Sequence, residues 1–214
     1  MSGSPTVVHV VDDDRSLRTA VTRLLQAAGY EVRAYASAGD FLMRERTAGP
    51  ACVILDVRMP GPSGLDLQQA LEAQEDALPV VFLTGHGDIP MSVRAMRAGA
   101  VDFLTKPVKR DALLTAVRAA LAQHDQRRAG RERRQHLRAC FDTLTPRERE
   151  VFERVVAGML NKQIAADLGC SIRTVKIHRA RTMAKMQVDS LADLVRAAEM
   201  LRMPHTTRPT AAKS

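Results

Sequence analysis

Short apolar runs alternate with amphipathic segments along the first half of the chain. Apolar residues recur at helical spacing in one such segment, from Leu17 through Val21 and Leu25 to the helix-stop signal Gly29. Five β-branched runs have strand length: Val7–Val11, Glu31–Tyr35, Cys52–Asp56, Val80–Thr84 and Val101–Leu104. Four more segments have helical spacing: about Ala38–Arg46, Leu65–Ala73, Ile89–Ala98 and Asp111–Leu121. This alternation predicts an α/β doubly wound, five-stranded parallel sheet over residues 5–122.

The pattern changes after that first domain. Residues 123–142 are polar and rich in arginine, which predicts a linker that is partly helical. Residues 143–203 show no strand pattern and carry four amphipathic segments, the first of which begins with a capping box at Thr145–Glu148. Gly169 separates the second segment from the third, as in a helix-turn-helix. We therefore predict a second, all-α domain, followed by a disordered tail over 204–214.

Composition excludes several classes of protein. No apolar run approaches the ~20 residues that cross a bilayer, and the N-terminus lacks the basic region of a secretory signal. The cysteines Cys52, Cys140 and Cys170 are odd in number and far apart, which argues against a disulfide framework or a zinc site. We expect a cytoplasmic protein with no membrane partner.

The charge is unevenly distributed between the two halves. Residues 1–121 carry 13 basic and 14 acidic residues, a net charge of −1, whereas residues 122–214 carry 19 and 10, a net charge of +9. A near-neutral half joined to a strongly basic half indicates two domains, of which the second faces a polyanion. Nucleic acid is the favoured partner, and a basic surface kept for solubility is the alternative.

Polar residues with compatible chemistry stand where four of the predicted strands end. Asp12, Asp13 and Asp14 stand at the end of the first strand, and the others end the third, fourth and fifth: Asp56, Thr84 and Lys106. Because the strands are parallel, these residues are expected to meet in one crevice. Clustered carboxylates repel one another unless they share protons or a cation joins them, and Mg²⁺ prefers oxygen ligands of this kind. A carboxylate could then attack phosphorus, with the cation, Thr84 and Lys106 holding the phosphoryl oxygens.

This half of the chain resembles the receiver domain of two-component response regulators, a flavodoxin-like fold. The resemblance covers about residues 5–122. It is carried by these motifs: Val10–Asp14, Leu55–Pro60, Gly64, Thr84–His86 and Lys106–Pro107.

The resemblance implies a role for each site residue. Asp56 would be the phosphoacceptor, supplied by a sensor histidine kinase. Mg²⁺ would be bound by Asp13, Asp56 and the backbone carbonyl of Arg58, with Asp12 assisting. Thr84 and Lys106 would contact the phosphoryl group. Phe103 matches the aromatic switch position, for which plain core packing is the alternative interpretation.

Residues 144–196 resemble the LuxR-type DNA-binding domain. The motifs that carry this resemblance are LTPREREV, NKQIAADLG and TVKIHRARTMAKM. Together the two halves resemble a response regulator of the NarL/FixJ type, and the segment 84–91 favours the FixJ side of that group. In LuxR-type domains the last helix, here about Leu191–Leu201, forms a dimer seam. Packing inside the domain is the alternative.

The third helix of the second domain, about Ile172–Met186, can be placed on a helical wheel. Val175, Thr182, Met183 and Met186 define a core face, and the opposite face holds Arg173, Lys176, Ile177, Ala180, Arg181 and Ala184, with Thr174 and Lys185 at one edge. A face with two arginines, a lysine and an isoleucine can reach guanine edges, thymine methyl groups and phosphates in a major groove. Asn161 and Lys162, which open the preceding helix, are candidate phosphate contacts. Arg179 falls near the core side, where it either pairs within the domain or reaches a phosphate.

The sequence thus predicts a phosphorylation-dependent DNA-binding transcription regulator. We expect phosphorylation at Asp56 to favour a homodimer through about Ile89–Phe103, which then binds double-stranded promoter DNA, with RNA polymerase as a possible further partner. One alternative is a DNA-binding protein that retains the receiver only for dimerisation. Another is an enzyme, although the sequence carries no substrate-pocket signature, and we expect no enzymatic activity beyond slow hydrolysis of its own acyl phosphate.

Overall fold

A computed structural model describes residues 6–45, 47, 49–74, 77–85 and 89–201 of the chain. The predicted tail, 204–214, lies outside the described residues, as does His86. The chain divides into two compact units, residues 1–129 and 130–214. In the first unit the described residues form these elements: β1 (Val7–Val11), α1 (Arg15–Ala27), β2 (Glu31–Tyr35), α2 (Ala38–Leu42), β3 (Ala51–Asp56), α3 (Gly64–Glu72), β4 (Val80–Thr84), α4 (Ile89–Arg97) and β5 (Asp102–Thr105). Helix α5 (Arg110–Asp142) begins in the first unit, and its residues after 129 belong to the second.

The five strands form one parallel sheet in the order β2-β1-β3-β4-β5, as the sequence predicts. Each face of the sheet packs a separate apolar cluster. On one face Phe41, Leu67 and Leu71 join α2 and α3 to the sheet, and on the other Leu25 and Val117 join α1 and α5. Because the central strands are buried on both faces, they are apolar throughout.

Helix α5 is longer than predicted. It begins at Arg110 and continues to Asp142, so the segment 123–142 is helical throughout rather than in part. Gly130 lies inside this helix, where it is exposed and where a Cβ would meet no neighbouring atom. A glycine in a helix interior costs only ~1 kcal/mol relative to alanine, and this cost does not end the helix. Beyond residue 122 the helix still belongs to the first unit, because buried His124 accepts a hydrogen bond at Nδ1 from the backbone N–H of Ala51, 3.1 Å away.

Other element boundaries also differ from the sequence prediction, among them those of α2 and β5. Helix α2 ends at Leu42 instead of about residue 46, because Met43 and Arg44 turn back and donate backbone hydrogen bonds to carbonyls within α2. Strand β5 begins at Asp102 and ends at Thr105, one residue later than predicted. The shift brings Thr105 opposite Thr84 of β4 and leaves Lys106 directly after the strand.

The second unit is helical, and its helices follow the predicted helix-start signals. After the end of α5 the structure describes α6 (Pro146–Val156), α7 (Asn161–Asp167), α8 (Ile172–Met186) and α9 (Leu191–Met200). The capping box at the start of α6 is formed: Thr145 N–H donates to Glu148, and Glu148 N–H donates to the Thr145 hydroxyl. One buried cluster, including Phe152, Ile164 and Leu194, joins these helices.

Candidate metal centre and nucleic-acid interface

The predicted crevice is present at the carboxyl edge of the sheet. Asp12 follows β1 and Asp56 ends β3, and they are only 3% and 7% exposed. One carboxylate oxygen from each of Asp12, Asp13 and Asp56 lies within 4.8 Å of the other two. Asp13 is exposed, so the cluster opens to solvent on that side.

Lys106 joins the two buried carboxylates. Its Nζ donates to Oδ2 of Asp12 at 2.8 Å and to Oδ2 of Asp56 at 2.7 Å. Burial raises the pKa of Asp12 by more than the hydrogen bond and charge of Lys106 lower it. Burial also tends to lower the pKa of Lys106, but the hydrogen bonds and charges of the two carboxylates outweigh it, so its pKa is raised. Lys106 therefore stays charged between the two carboxylates.

The third aspartate of the triplet has a different task. The Asp14 side chain accepts hydrogen bonds from the backbone N–H groups of Ser16 and Leu17, so it is the N-cap of α1. The backbone N–H of Asp14 donates to Oδ1 of Asp12 at 2.9 Å, which orients that carboxylate. The triplet thus divides into one helix cap and two residues directed at the crevice.

The loop after β3 packs tightly against the start of α3. The backbone N–H of Arg58 donates to Oδ1 of Asp56 at 3.2 Å, which fixes the second oxygen of that carboxylate. Gly64 opens α3 so close to this loop that a Cβ there would collide with the backbone oxygen of Asp56. Only glycine fits this approach, which explains why it stands at residue 64.

Thr84 and Phe103 lie on the neighbouring strands. Thr84 ends β4 and is buried, and its backbone carbonyl accepts a hydrogen bond from the Lys106 N–H at 2.7 Å. Phe103 is half-buried on β5, with its ring centroid 6.1 Å from that of Phe82. Its packing against the core is thus observed, and its predicted switch role stays a prediction.

The acidic cluster fits a divalent cation with a preference for oxygen. Three carboxylates converge within ligand-sharing distance, and the crevice opens toward solvent at Asp13. Mg²⁺ typically uses a few carboxylates and keeps several waters, which matches a cluster that is buried on one side and open on the other. Lys106 shows that this crevice already attracts a positive charge.

On α8 the structure separates the two predicted faces. Val175, Thr182 and Met186 are buried, while Met183 is only half-buried. The predicted groove-facing residues are exposed: Arg173, Lys176, Ile177, Ala180, Arg181 and Ala184. Within the described part of the chain, the side chains of Arg173, Lys176 and Arg181 make no ion pair. This face therefore offers cations and one apolar side chain to a partner.

Residues at the edges of that face are already engaged. Thr174 shares a hydrogen bond of 2.8 Å with the hydroxyl of Ser171, the N-cap of α8. Lys185 donates to the carboxylate of Glu148 at 2.7 Å, which, together with the Thr145 N–H, holds the pKa of Glu148 at about 2. Of the two alternatives predicted for Arg179, pairing within the domain is the one observed: its Nη1 donates to Oδ1 of Asn161 at 3.2 Å. Lys162 is exposed.

The length and apolar character of the described helices decide whether any of them could cross a membrane. Among the residues that it describes, no helix has both the length and the apolar character needed to cross a bilayer. The longest helix, α5, is rich in arginine.

The fold and the two sites define a class of protein: a receiver domain joined to a helix-turn-helix DNA-binding domain. Family models agree with this class. Residues 8–118 match the response regulator receiver domain, and residues 142–198 match the bacterial regulatory proteins of the luxR family.

The chain belongs to the two-component response regulators of the NarL/FixJ type, and it is a transcription regulator. It is 46% identical over 200 residues to nodulation protein W of Bradyrhizobium diazoefficiens, covering 94% of this chain and 88% of that protein. It is 40% identical over 191 residues to the transcriptional regulatory protein FixJ of the same organism, covering 89% of this chain and 93% of FixJ. Among solved structures, the response regulator StyR superposes with a TM-score of 0.79 at 46% identity, covering 92% of this chain and 99% of that one.

Proposed function

We propose that Asp56 is the phosphoacceptor of this regulator and that a sensor histidine kinase is its phosphoryl donor. The observation that carries the proposal is the position of Asp56: it ends the central strand β3, and its two oxygens are held by Lys106 and by the Arg58 N–H. Both oxygens are thus oriented before any donor arrives. Asp14 is occupied as a helix cap and does not compete for the role.

The chemistry follows from this geometry. A carboxylate oxygen of Asp56 forms a bond to phosphorus, the P–N bond of the phosphohistidine breaks, and its electron pair stays on the imidazole nitrogen, which then takes a proton. Asp12, Asp13, Asp56 and the Arg58 carbonyl would hold Mg²⁺, which supplies charge neutralisation for the phosphoryl oxygens when bound. Lys106 and Thr84 would contact those oxygens.

The output side of the proposal is DNA binding through α8. Arg173, Lys176, Ile177 and Arg181 would enter the major groove with Thr174 at the edge, and Asn161 and Lys162 of α7 would contact the backbone. Exposed Val93 and Met96 on α4 support a dimer interface over about 89–103, which phosphorylation would favour. A dimer then spaces two recognition helices for two half-sites, and RNA polymerase is a further candidate partner of the bound dimer.

Acetyl phosphate labelling of the full chain tests the acceptor. We expect Mg²⁺-dependent incorporation of an acid-stable, hydroxylamine-labile phosphoryl group, and Asp56→Asn should abolish it. Asp14→Asn is the matched control, because asparagine caps a helix as well as aspartate does and should leave labelling intact. Labelling that persists in Asp56→Asn places the acceptor elsewhere and contradicts the proposal.

A further inference from the structure

Arg179 lies on α8 but outside its exposed face. Its side chain is half-buried, and it reaches across to Asn161, the first residue of α7, with 3.2 Å between Nη1 and Oδ1. The contact joins the two helices of the helix-turn-helix. Arg173 and Lys176, which are predicted for the groove, are instead exposed.

The contact determines which way the Asn161 amide is turned. A guanidinium has only N–H donors and no acceptor, so the amide must face it with its oxygen. The NH₂ group of Asn161 is then directed away from Arg179. Among the described residues, none accepts a hydrogen bond from that NH₂ group. Two oriented donors are therefore left for a partner outside the domain.

We propose that Arg179 is a positioning residue for DNA binding: it holds the Asn161 amide so that its NH₂ group donates to a DNA phosphate oxygen, and Arg179 itself does not touch DNA. The inference rests on the proposed place of Asn161 in the DNA interface. Helices that support a recognition helix cross the phosphate backbone, and asparagine is among the residues that contact phosphates there.

The dependence of affinity on salt separates this role from a direct contact. A cation that neutralises a phosphate releases counterions, and its loss flattens the plot of log K against log salt by about 0.9. A neutral amide releases none. Loss of Arg179 therefore weakens binding without changing the slope if it acts through Asn161, and it flattens the slope if the guanidinium sits on a phosphate.

The experiment measures anisotropy of a fluorescein-labelled, random-sequence duplex with the full chain, treated with acetyl phosphate and Mg²⁺, between about 50 and 200 mM salt. Asn161→Ala and Arg179→Ala should each weaken binding by about 2- to 10-fold with an unchanged slope. The double variant should bind no more weakly than the weaker single variant, since both remove the same contact. Arg179→Lys keeps a donor and should restore most of the affinity. Arg173→Ala is the matched control, expected to flatten the slope and to add to Asn161→Ala.

Several results would overturn the proposal. A flattened slope in Arg179→Ala shows a direct phosphate contact, and additive losses in the double variant show two independent contacts. Wild-type affinity in Asn161→Ala shows that Asn161 does not contact DNA, so Arg179 cannot act through it. If Arg179→Ala does not fold, Arg179→Met, which keeps the aliphatic stem, takes its place with the same expectations. If the wild-type chain treated with acetyl phosphate does not bind the duplex, the proposed function fails; if it binds and only the variants depart from these expectations, the role of Arg179 fails alone.

Discussion

In the receiver crevice the carboxylates of Asp12 and Asp56 are buried and paired with Lys106, whereas on the exposed face of α8 the charged groups are solvated and unpaired in the described part of the chain. Asp12, Asp56 and Lys106 come from three strand ends up to 94 residues apart, while the α8 face comes from one helix. Buried paired charges cannot be removed singly without leaving an uncompensated partner. Exposed charges can be removed with little effect on the fold. The two regions should therefore respond differently to substitution.

The largest effect is expected for Lys106→Met, which keeps the volume and removes the charge between Asp12 and Asp56. We expect the receiver to lose about 3 kcal/mol of unfolding free energy without Mg²⁺, because two buried carboxylates then repel each other. Mg²⁺ should return most of that loss, since it binds the folded state. Tyrosine fluorescence reports this unit selectively, because both tyrosines, Tyr30 and Tyr35, belong to it.

Lys109→Met is the matched control for that measurement, because Lys109 is exposed and lies three residues away. Its stability should stay within about 0.5 kcal/mol of wild type. Equal stabilisation of wild type and Lys106→Met by Mg²⁺ would show that the metal does not take over the role of the lysine charge.

On α8 the same kind of substitution should alter binding and leave stability unchanged. Lys176→Ala is expected to weaken binding to a cognate site by about 1–3 kcal/mol and to relax base preference there. Lys162→Ala should lower affinity evenly across sequences and flatten the salt slope by about one. Titrations on specific and random duplexes distinguish these results. If Lys176→Ala behaves as a pure phosphate contact, Arg173 or Arg181 reads the base instead.

Acid should destabilise the two units in different pH ranges. Burial, together with the charges of Arg44 and Arg33, lowers the pKa of His9 in β1 to about 3. The unfolded chain takes up this proton near pH 6.5 and the folded chain does not, so the stabilisation is complete above that pH and is lost as pH falls toward 3. The receiver should lose about 2 kcal/mol between pH 7 and pH 5 through His9. Tyrosine-monitored unfolding of His9→Leu should lack this loss, and an unchanged pH dependence would contradict it.

The smallest effect is expected in the second unit. Lys185 holds the pKa of Glu148 at about 2, so this contribution is complete above pH 4.5 and is lost only as pH falls toward 2. Glu148→Gln should lower the stability of α6 by about 1 kcal/mol at neutral pH and remove the acid response. Hydrogen exchange of the α6 amides measures it, with exposed Glu153→Gln as the control. Equal exchange rates in the two variants would contradict a role for the Lys185 pair.

The sequence predicts the sheet and the crevice for one reason: residues at the ends of parallel strands must meet at one edge. It cannot separate Asp14 from Asp12 and Asp13, because three adjacent aspartates differ only in the direction that the backbone gives each side chain. Nor can a helical wheel show that Lys185 binds Glu148, which lies 37 residues earlier in the chain. The sequence also does not predict that α5 continues to Asp142, since an arginine-rich segment with a glycine is typical of a linker.

The hydrogen bond between His124 and Ala51 sets a lower limit on the length of a receiver fragment that folds as the whole chain does. Excision at residue 122, the boundary that the sequence predicts, removes the imidazole and leaves the buried N–H of Ala51 without its acceptor, at a cost of about 1–3 kcal/mol. Ala51 opens β3, the strand that ends at Asp56. A fragment that ends at residue 122 would thus be destabilised at the start of the strand that carries Asp56, while one extended through Ala129 keeps the His124 hydrogen bond.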